Sequence, residues 1–201
     1  MKGSLIIVGF FVLGTICGVC HLLPFDIAET NISYYALCAL MFSVGLSVGN
    51  DPQTLKNFRS LNPRLVFLPI MTILGTLAGS AAVSLILTHR SITDCLAVGS
   101  GFGYYSLSSI FITEYKGAEL GTIALLANIS REILTLLAAP LLVRWFGNLA
   151  PISAGGATTM DTTLPIITRT AGQQFVVVSI FHGFVVDFSV PFLVTLFCSI
   201  S

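Results

Sequence analysis

The sequence predicts an all-α polytopic membrane protein with about seven transmembrane segments, two of them discontinuous, crossover-type helices. Three observations lead there. Of 201 residues, 55% are hydrophobic and 9% are charged, where a soluble domain carries about 25% charged residues. Mean hydropathy is +0.94. Two stretches of span length are interrupted by glycines and hydroxyls, Val98 to Ser109 and Gly155 to Pro165. Glycine and hydroxyl residues weaken a helix and open its backbone. Lipid cannot satisfy an open backbone, so such stretches are buried in protein or line a wet cavity. Paired interrupted spans are the best sequence pointer to the substrate site of a transporter.

The elements follow from the apolar runs, and the whole chain reads as a single transmembrane domain. The first span covers about 5–23. Met1-Lys2 and the run behind it have the outline of a signal peptide, but no A-x-A site follows and more spans do, so the run reads as a helix. A short acidic loop with Asp26 and Glu29 leads to a span over 34–48. The loop from Asn50 to Arg64 carries Lys56, Arg59 and Arg64. A span over 65–87 ends in the turn Thr88-His89-Arg90-Ser91. The span over 92–112 holds the first break, and Glu114, Lys116 and Glu119 mark a loop. The run 120–146 is ~40 Å long at ~1.5 Å per residue, more than the ~30 Å hydrocarbon core needs, so it tilts or bends. The span over 153–168 holds the second break, and 175–200 is the last span.

Charge sets orientation and excludes some functions. The 50–64 loop holds three of the nine Lys and Arg residues, which places it in the cytoplasm by the positive-inside rule. Seven spans then put the N-terminus inside and the C-terminus outside. Arg169 falls inside, in agreement; Arg90 and Arg144 fall outside, against the rule. Nine basic residues are balanced by nine acidic ones, so no basic surface points to nucleic acid. Cys17, Cys20, Cys38, Cys95 and Cys198 lie in or beside apolar segments, where small residues let helices approach. No Cys/His set has zinc-site spacing, and no metal or cofactor is expected.

The charges inside spans carry the functional reading. Arg131 and Glu132 lie mid-span, where each costs roughly 2.5–3.5 kcal/mol to insert. Asn128 precedes them by three and four residues, so the three share a polar face. The bland reading is an interhelical clamp; the functional one is a substrate or proton site. Glu132 is assigned to function, because a carboxylate can carry a proton and pair with an ammonium. Arg131 is balanced between structural counter-ion and anion contact. Asp161, in the second break, can cap the half-helix behind it or bind a cation. Asp187 is a mid-span acid that needs a partner or water. His182 reads as a neutral buried histidine satisfied by a backbone carbonyl, and Pro191 as a kink.

Tyr104, Tyr105 and Ser106, with Ser108 and Ser109, add hydroxyls at the first break, and Thr158 and Thr159 add them at the second. Gly101, Gly103, Gly155 and Gly156 are the break residues. Gly99-x-Gly101-x-Gly103 lacks the spacing and the preceding strand of a dinucleotide fingerprint. Both breaks read as glycines, hydroxyls, then an apolar half, the pattern of a weak internal repeat. Seven spans do not divide into two equal repeats. Either the count differs or further helices come from another polypeptide.

These residues resemble the lysine exporter family LysO. The resemblance is carried by Gly101-Phe-Gly-Tyr-Tyr-Ser-Leu-Ser-Ser109, by Glu119-Leu-Gly-Thr-Ile-Ala-Leu-Leu-Ala-Asn128 with Arg131-Glu132-Ile133, and by Gly155-Gly-Ala-Thr-Thr-Met-Asp-Thr-Thr-Leu-Pro165. It implies export of L-lysine and its analogues across the bacterial inner membrane against an inward proton or cation gradient. The chain is similar to the C-terminal two thirds of single-chain members. That implies a small membrane partner supplying the remaining helices; a homo-oligomer is also open. Two alternatives remain, a non-transporting scaffold subunit and a transporter of another organic ion. An intramembrane protease, with Ser106 and His182 or Asp161 and Asp187 as a dyad, lacks the local motifs, so no catalytic residue and no enzyme is expected.

Overall fold

The computed structural model describes residues 63–87 and 89–200, together with Leu13, Gly14, Ile16, Cys17 and Tyr35, which are helical. The expected spans over 5–23 and 34–48 otherwise lie outside the described residues. The chain divides into two units, Met1–Leu46 and Ser47–Ser201. The helices of the second unit are α1 (Leu68–Ser84), α2 (Ile92–Gly99), α3 (Tyr105–Lys116), α4 (Ala118–Phe146), α5 (Ala150–Gly155), α6 (Leu164–Ala171) and α7 (Val176–Ser199). Short 3-10 turns cover Pro63–Phe67, Gly156–Met160 and Gln173–Phe175.

Three of these helical stretches, Leu65–Ser84, Ala118–Phe146 and Gln173–Ser199, are long and apolar enough to cross a membrane. Their outward faces carry Met71, Leu74, Leu134, Leu137, Phe188 and Phe192 exposed. Large apolar side chains left outside a folded unit need an apolar environment, here the lipid.

Both interrupted segments are discontinuous, as the sequence predicts, and the structure shows the path each one takes. If α2 and α3 continued in one direction, residues 94 and 116 would stand roughly 33 Å apart. Instead Lys116 Nζ lies 3.7 Å from Asp94 Oδ1, and Arg90 pairs with Glu119 beside it. The chain enters at Ser91, whose hydroxyl caps α2 by accepting the Asp94 N–H at 3.1 Å. It turns over at 100–104 and returns to the same face. The second segment does likewise from the opposite face. Ile152 of α5 shares one buried cluster with Ile167 and Ala171 of α6, and with Val178 at the start of α7. Leu65, Leu68, Val143 and Leu149 pack on that cluster. Two re-entrant hairpins therefore stand between the crossing helices α1, α4 and α7.

The hairpin tips meet backbone to backbone. Ala157 N–H donates to the Phe102 carbonyl at 3.0 Å. Gly156 has φ +62, and a Cβ there would run into that same carbonyl oxygen. Gly103, at φ +94, would place a Cβ 3.2 Å from the Gly155 carbonyl. Only glycine allows both the left-handed backbone and the close approach. Phe102 is the non-glycine residue with positive φ, at +47, among the described residues. Its ring is fully buried while its carbonyl serves the other hairpin.

The hairpins also expose the repeat that the span count obscured. The unit is one hairpin and the crossing helix behind it, α2–α3–α4 and α5–α6–α7, and the two units point in opposite directions. Each hairpin hands over to its long helix through a glycine of nearly the same conformation, Gly117 at φ 89, ψ 167 and Gly172 at φ 113, ψ 156. Eleven residues beyond each glycine the helix touches its own hairpin tip. Asn128 accepts the Gly103 N–H at 2.8 Å, and a Cβ on Gly183 would lie 2.8 Å from Met160 N. Fifteen residues beyond each glycine stands an acid, Glu132 and Asp187. Inverted repeats of this kind are a common build of secondary transporters.

Two outcomes test this path. A cysteine pair at Asp94→Cys and Lys116→Cys is expected to cross-link with a short bifunctional reagent, which a straight helix would forbid. Gly156→Ala is expected to lower stability by about 2–4 kcal/mol through left-handed strain and overpacking, read by denaturant unfolding in detergent.

Candidate functional site

Each hairpin brings two helix ends to the middle of the bundle. Helices α2 and α5 arrive with their C-terminal carbonyls, and α3 and α6 leave with their N-terminal amides. Both sets lack partners within the helix, and the two ends carry partial charges of opposite sign. The side chains around the tips answer this polarity, and α4 supplies three of them, Asn128, Arg131 and Glu132.

Asn128 and Arg131 hold the carbonyl side. Asn128 is 3% exposed. Its Oδ1 accepts the Gly103 N–H at 2.8 Å, and its Nδ2 donates to the Val98 and Ala124 carbonyls at 3.2 and 2.9 Å. Arg131 Nε donates to the Ala154 carbonyl at 2.8 Å and Nη2 to the Ser153 carbonyl at 3.0 Å, at the C-terminus of α5. Nη1 reaches Thr76 Oγ1 of α1 at 3.3 Å. The guanidinium lies 5.8 Å from the centre of the Phe102 ring, a cation–π contact with the other hairpin tip. One cation thus ties α1, α4 and both hairpins. It sits where the helix dipole is negative, so its charge is compensated without a carboxylate.

The acids gather around Glu132. Glu132 is the next residue, about 100° round the helix, and is half-buried. The Thr162 side chain lies within its hydrogen-bonding reach. Asp161 sits in the turn before α6, and its Oδ1 accepts the Thr162 N–H at 2.5 Å. It is close enough to feel the charge of Glu132 and of Asp187. Tyr105 stands near Glu132 and Asp161, and Tyr104 near Asp187 and Asp161. Three acids from three elements, two consecutive tyrosines and Thr162 therefore share one neighbourhood, on the side where α3 and α6 present their N-termini. Ser106 is in the first turn of α3.

Asp187 stands apart. Only 3% of it is exposed, and it has no ion pair among the described residues. Ion pairs among the described residues join Arg90 to Glu119 and Lys116 to Asp94, so no Lys or Arg is paired with Glu132, Asp161 or Asp187. A carboxylate this buried is costly unless it is neutral or meets a cation.

His182, Thr158 and Thr159 are pins of the second hairpin. His182 is fully buried. Its Nε2 lies 2.9 Å from Thr72 Oγ1 of α1, and its Nδ1 lies 3.3 Å from Thr159 Oγ1. Thr159 gives its single proton to the Gly156 or Ser179 carbonyl, at 2.8 and 2.9 Å. That assigns the ring proton to Nδ1 and makes Nε2 the acceptor of the Thr72 hydroxyl. The backbone carbonyl expected as the histidine's partner is present as the neighbouring Gly156, beside the two threonines. Thr158 Oγ1 donates to the Gly155 carbonyl at 2.9 Å and lies 3.1 Å from Thr163 Oγ1.

The expected residues thus divide by role. Asn128, Arg131, Thr158 and Thr159 support the open backbone around Gly101, Gly103, Gly155 and Gly156. Glu132, Asp161, Asp187, Tyr104 and Tyr105 form the acidic side. Phe102, Thr72 and Thr162 escape a sequence reading. Of these only Phe102 leaves a signal, a lone aromatic between Gly101 and Gly103. A groove of about 570 Å³ between α1, α2 and α4 ends on Asn128 and Arg131. None of Glu132, Asp161 and Asp187 lines it.

Fold and site define a helical membrane protein whose polar centre lies where two opposed re-entrant hairpins meet. Within that class the chain belongs to the lysine exporter LysO family: the family profile described as Lysine exporter LysO matches residues 8–198. It is 36% identical over 194 residues to a protein of Escherichia coli (strain K12) described as "Lysine exporter LysO", covering 96% of this chain and 64% of that protein. It is 34% identical over 196 residues to a Haemophilus influenzae protein described as "Putative lysine exporter", covering 98% of this chain and 96% of the other. The chain thus spans less than two thirds of the length of the first relative and nearly all of the second. No solved structure matches it.

Asn128→Ala would leave the buried Gly103 N–H and Val98 carbonyl without their side-chain partner. A loss of about 1–3 kcal/mol in unfolding free energy is expected. Faster proteolysis at residues 100–104 should accompany it.

Proposed function

We propose that the protein exports L-lysine, and analogues with the same charges, from the bacterial cytoplasm through the inner membrane, in exchange for an inward proton or other cation. The observation that carries this reading is the uncompensated acidity at the hairpin tips. Glu132, Asp161 and the buried Asp187 stand together with no Lys or Arg paired to them among the described residues. A centre of that charge at membrane depth requires a cation, and the ammonium groups of a basic amino acid supply one. The names of the two relatives support lysine as the cargo. The amides opening α3 and α6 suit the substrate carboxylate, since a helix N-terminus attracts an anion. Proton binding at Glu132 would remove a counter-charge and release the amino acid.

With the 50–64 loop in the cytoplasm, the end of α4 and the return of the second hairpin also lie inside. Arg144 and Arg169 then obey the positive-inside rule. The ion-paired Arg90 and Lys116 lie outside with the end of α7, which leaves the C-terminus outside. The E. coli relative is longer by about a third of its length. A small membrane partner supplying equivalent helices, or a second copy of this chain, would complete the assembly.

Counterflow of radiolabelled lysine in membrane vesicles tests this, with and without a candidate small membrane protein. Wild-type protein is expected to exchange lysine. Glu132→Gln should slow exchange by ~10-fold or more, the scale of losing one partner of a buried charge pair. Wild-type exchange in the Glu132→Gln variant would remove Glu132 from the mechanism. No lysine exchange in the complete assembly would remove the function.

A further inference from the structure

The inverted repeat gives the acidic centre two poles. Glu132 and Asp187 occupy the same position in the two units, fifteen residues after the matching glycines Gly117 and Gly172. They come from crossing helices that run in opposite directions. The consecutive tyrosines of the first hairpin tip lie within electrostatic range of the acids, Tyr105 of Glu132, Tyr104 of Asp187 and both of Asp161. Asp161 is the neighbour common to both acids. Asp187 is 3% exposed, and no Lys or Arg is paired with it among the described residues. The Thr162 side chain lies within hydrogen-bonding reach of Glu132.

We infer that the site reads the two ends of a dibasic substrate separately, Glu132 taking one ammonium group and Asp187 the other, with Asp161 as the acid they share. This rests on the proposed export of lysine and deepens it. A centre with one acidic pole would accept any single ammonium group. Two poles set on opposed repeats select a molecule with positive charge at both ends of a flexible chain. Neutralising one pole then leaves a site that still recognises the other end. Arg131, directed into the Ser153 and Ala154 carbonyls, stays outside this recognition.

Ligand-induced thermal stabilisation of the purified complete assembly tests the inference, because it registers weak ligands. The probes are lysine, norleucine (no ε-ammonium), 6-aminohexanoate (no α-ammonium) and cadaverine (both ammonium groups, no carboxylate). In wild-type protein, lysine is expected to bind ~10-fold or more tightly than either single-ammonium analogue, and cadaverine to compete with it. In Glu132→Gln and Asp187→Asn, lysine should lose its advantage over one analogue only, a different analogue in each variant. Glu132→Asp and Asp187→Glu should keep both advantages and control for folding. If both variants lose the same distinction, or all four ligands weaken together, the two-pole reading is overturned while lysine export stands. If wild-type protein shows no stabilisation by lysine or cadaverine, the reading of the site as a lysine site falls, and this inference with it.

Discussion

The bond from Ala157 N–H to the Phe102 carbonyl is the contact on which the rest of the structure depends. Opening a helix inside a membrane leaves amides and carbonyls that lipid cannot satisfy. Opening two helices at one place lets each satisfy part of the other. The glycines follow from this: Gly103 and Gly156 take left-handed conformations, and a Cβ at Gly156 would displace the carbonyl that receives the bond. What the tips leave over falls to α4. Asn128 serves the first hairpin and Arg131 the second, and they can do so because three residues bring them to one face.

That constraint also explains why opposite charges sit side by side in the sequence. Arg131 and Glu132 are neighbours without being partners. The end of α5 arrives with bare carbonyls and needs a cation. The starts of α3 and α6 offer amides and tolerate acids. One helix passing between the two kinds of end carries a basic residue and an acidic residue about 100° apart. Arg131 and Glu132 thus point to different neighbours of α4, Arg131 to the end of α5 and Glu132 to the turn before α6.

The hairpin topology changes the meaning of the repeat. Read as seven crossing spans, the chain had an odd number of elements and no symmetric division. Two re-entrant hairpins remove that difficulty. Each is grouped with the helix behind it, and the two groups are inverted. The same change reverses the direction of α4, which brings Arg144 to the side of Arg169 and of Leu65, just before α1. Helix α1 then serves both units, through Thr76 to Arg131 and Thr72 to His182.

The sequence by itself determined the class of protein, the positions of both breaks and most of the polar residues around them. Each of these is a local property: hydropathy is summed along the chain, and glycine or an intramembrane charge is visible wherever it stands. The resemblance carried by the three motifs reached the family for the same reason, since the motifs are contiguous. Direction was not local. Whether α3 continues past the break or turns back depends on Lys116 reaching Asp94 and on Thr113 fitting Gly121 of α4, contacts that no periodicity records. The division of labour between Asn128 and Arg131 on one side and Glu132, Asp161 and Asp187 on the other was equally invisible. It is set by which helix ends meet at the tips, and only the tertiary structure decides that.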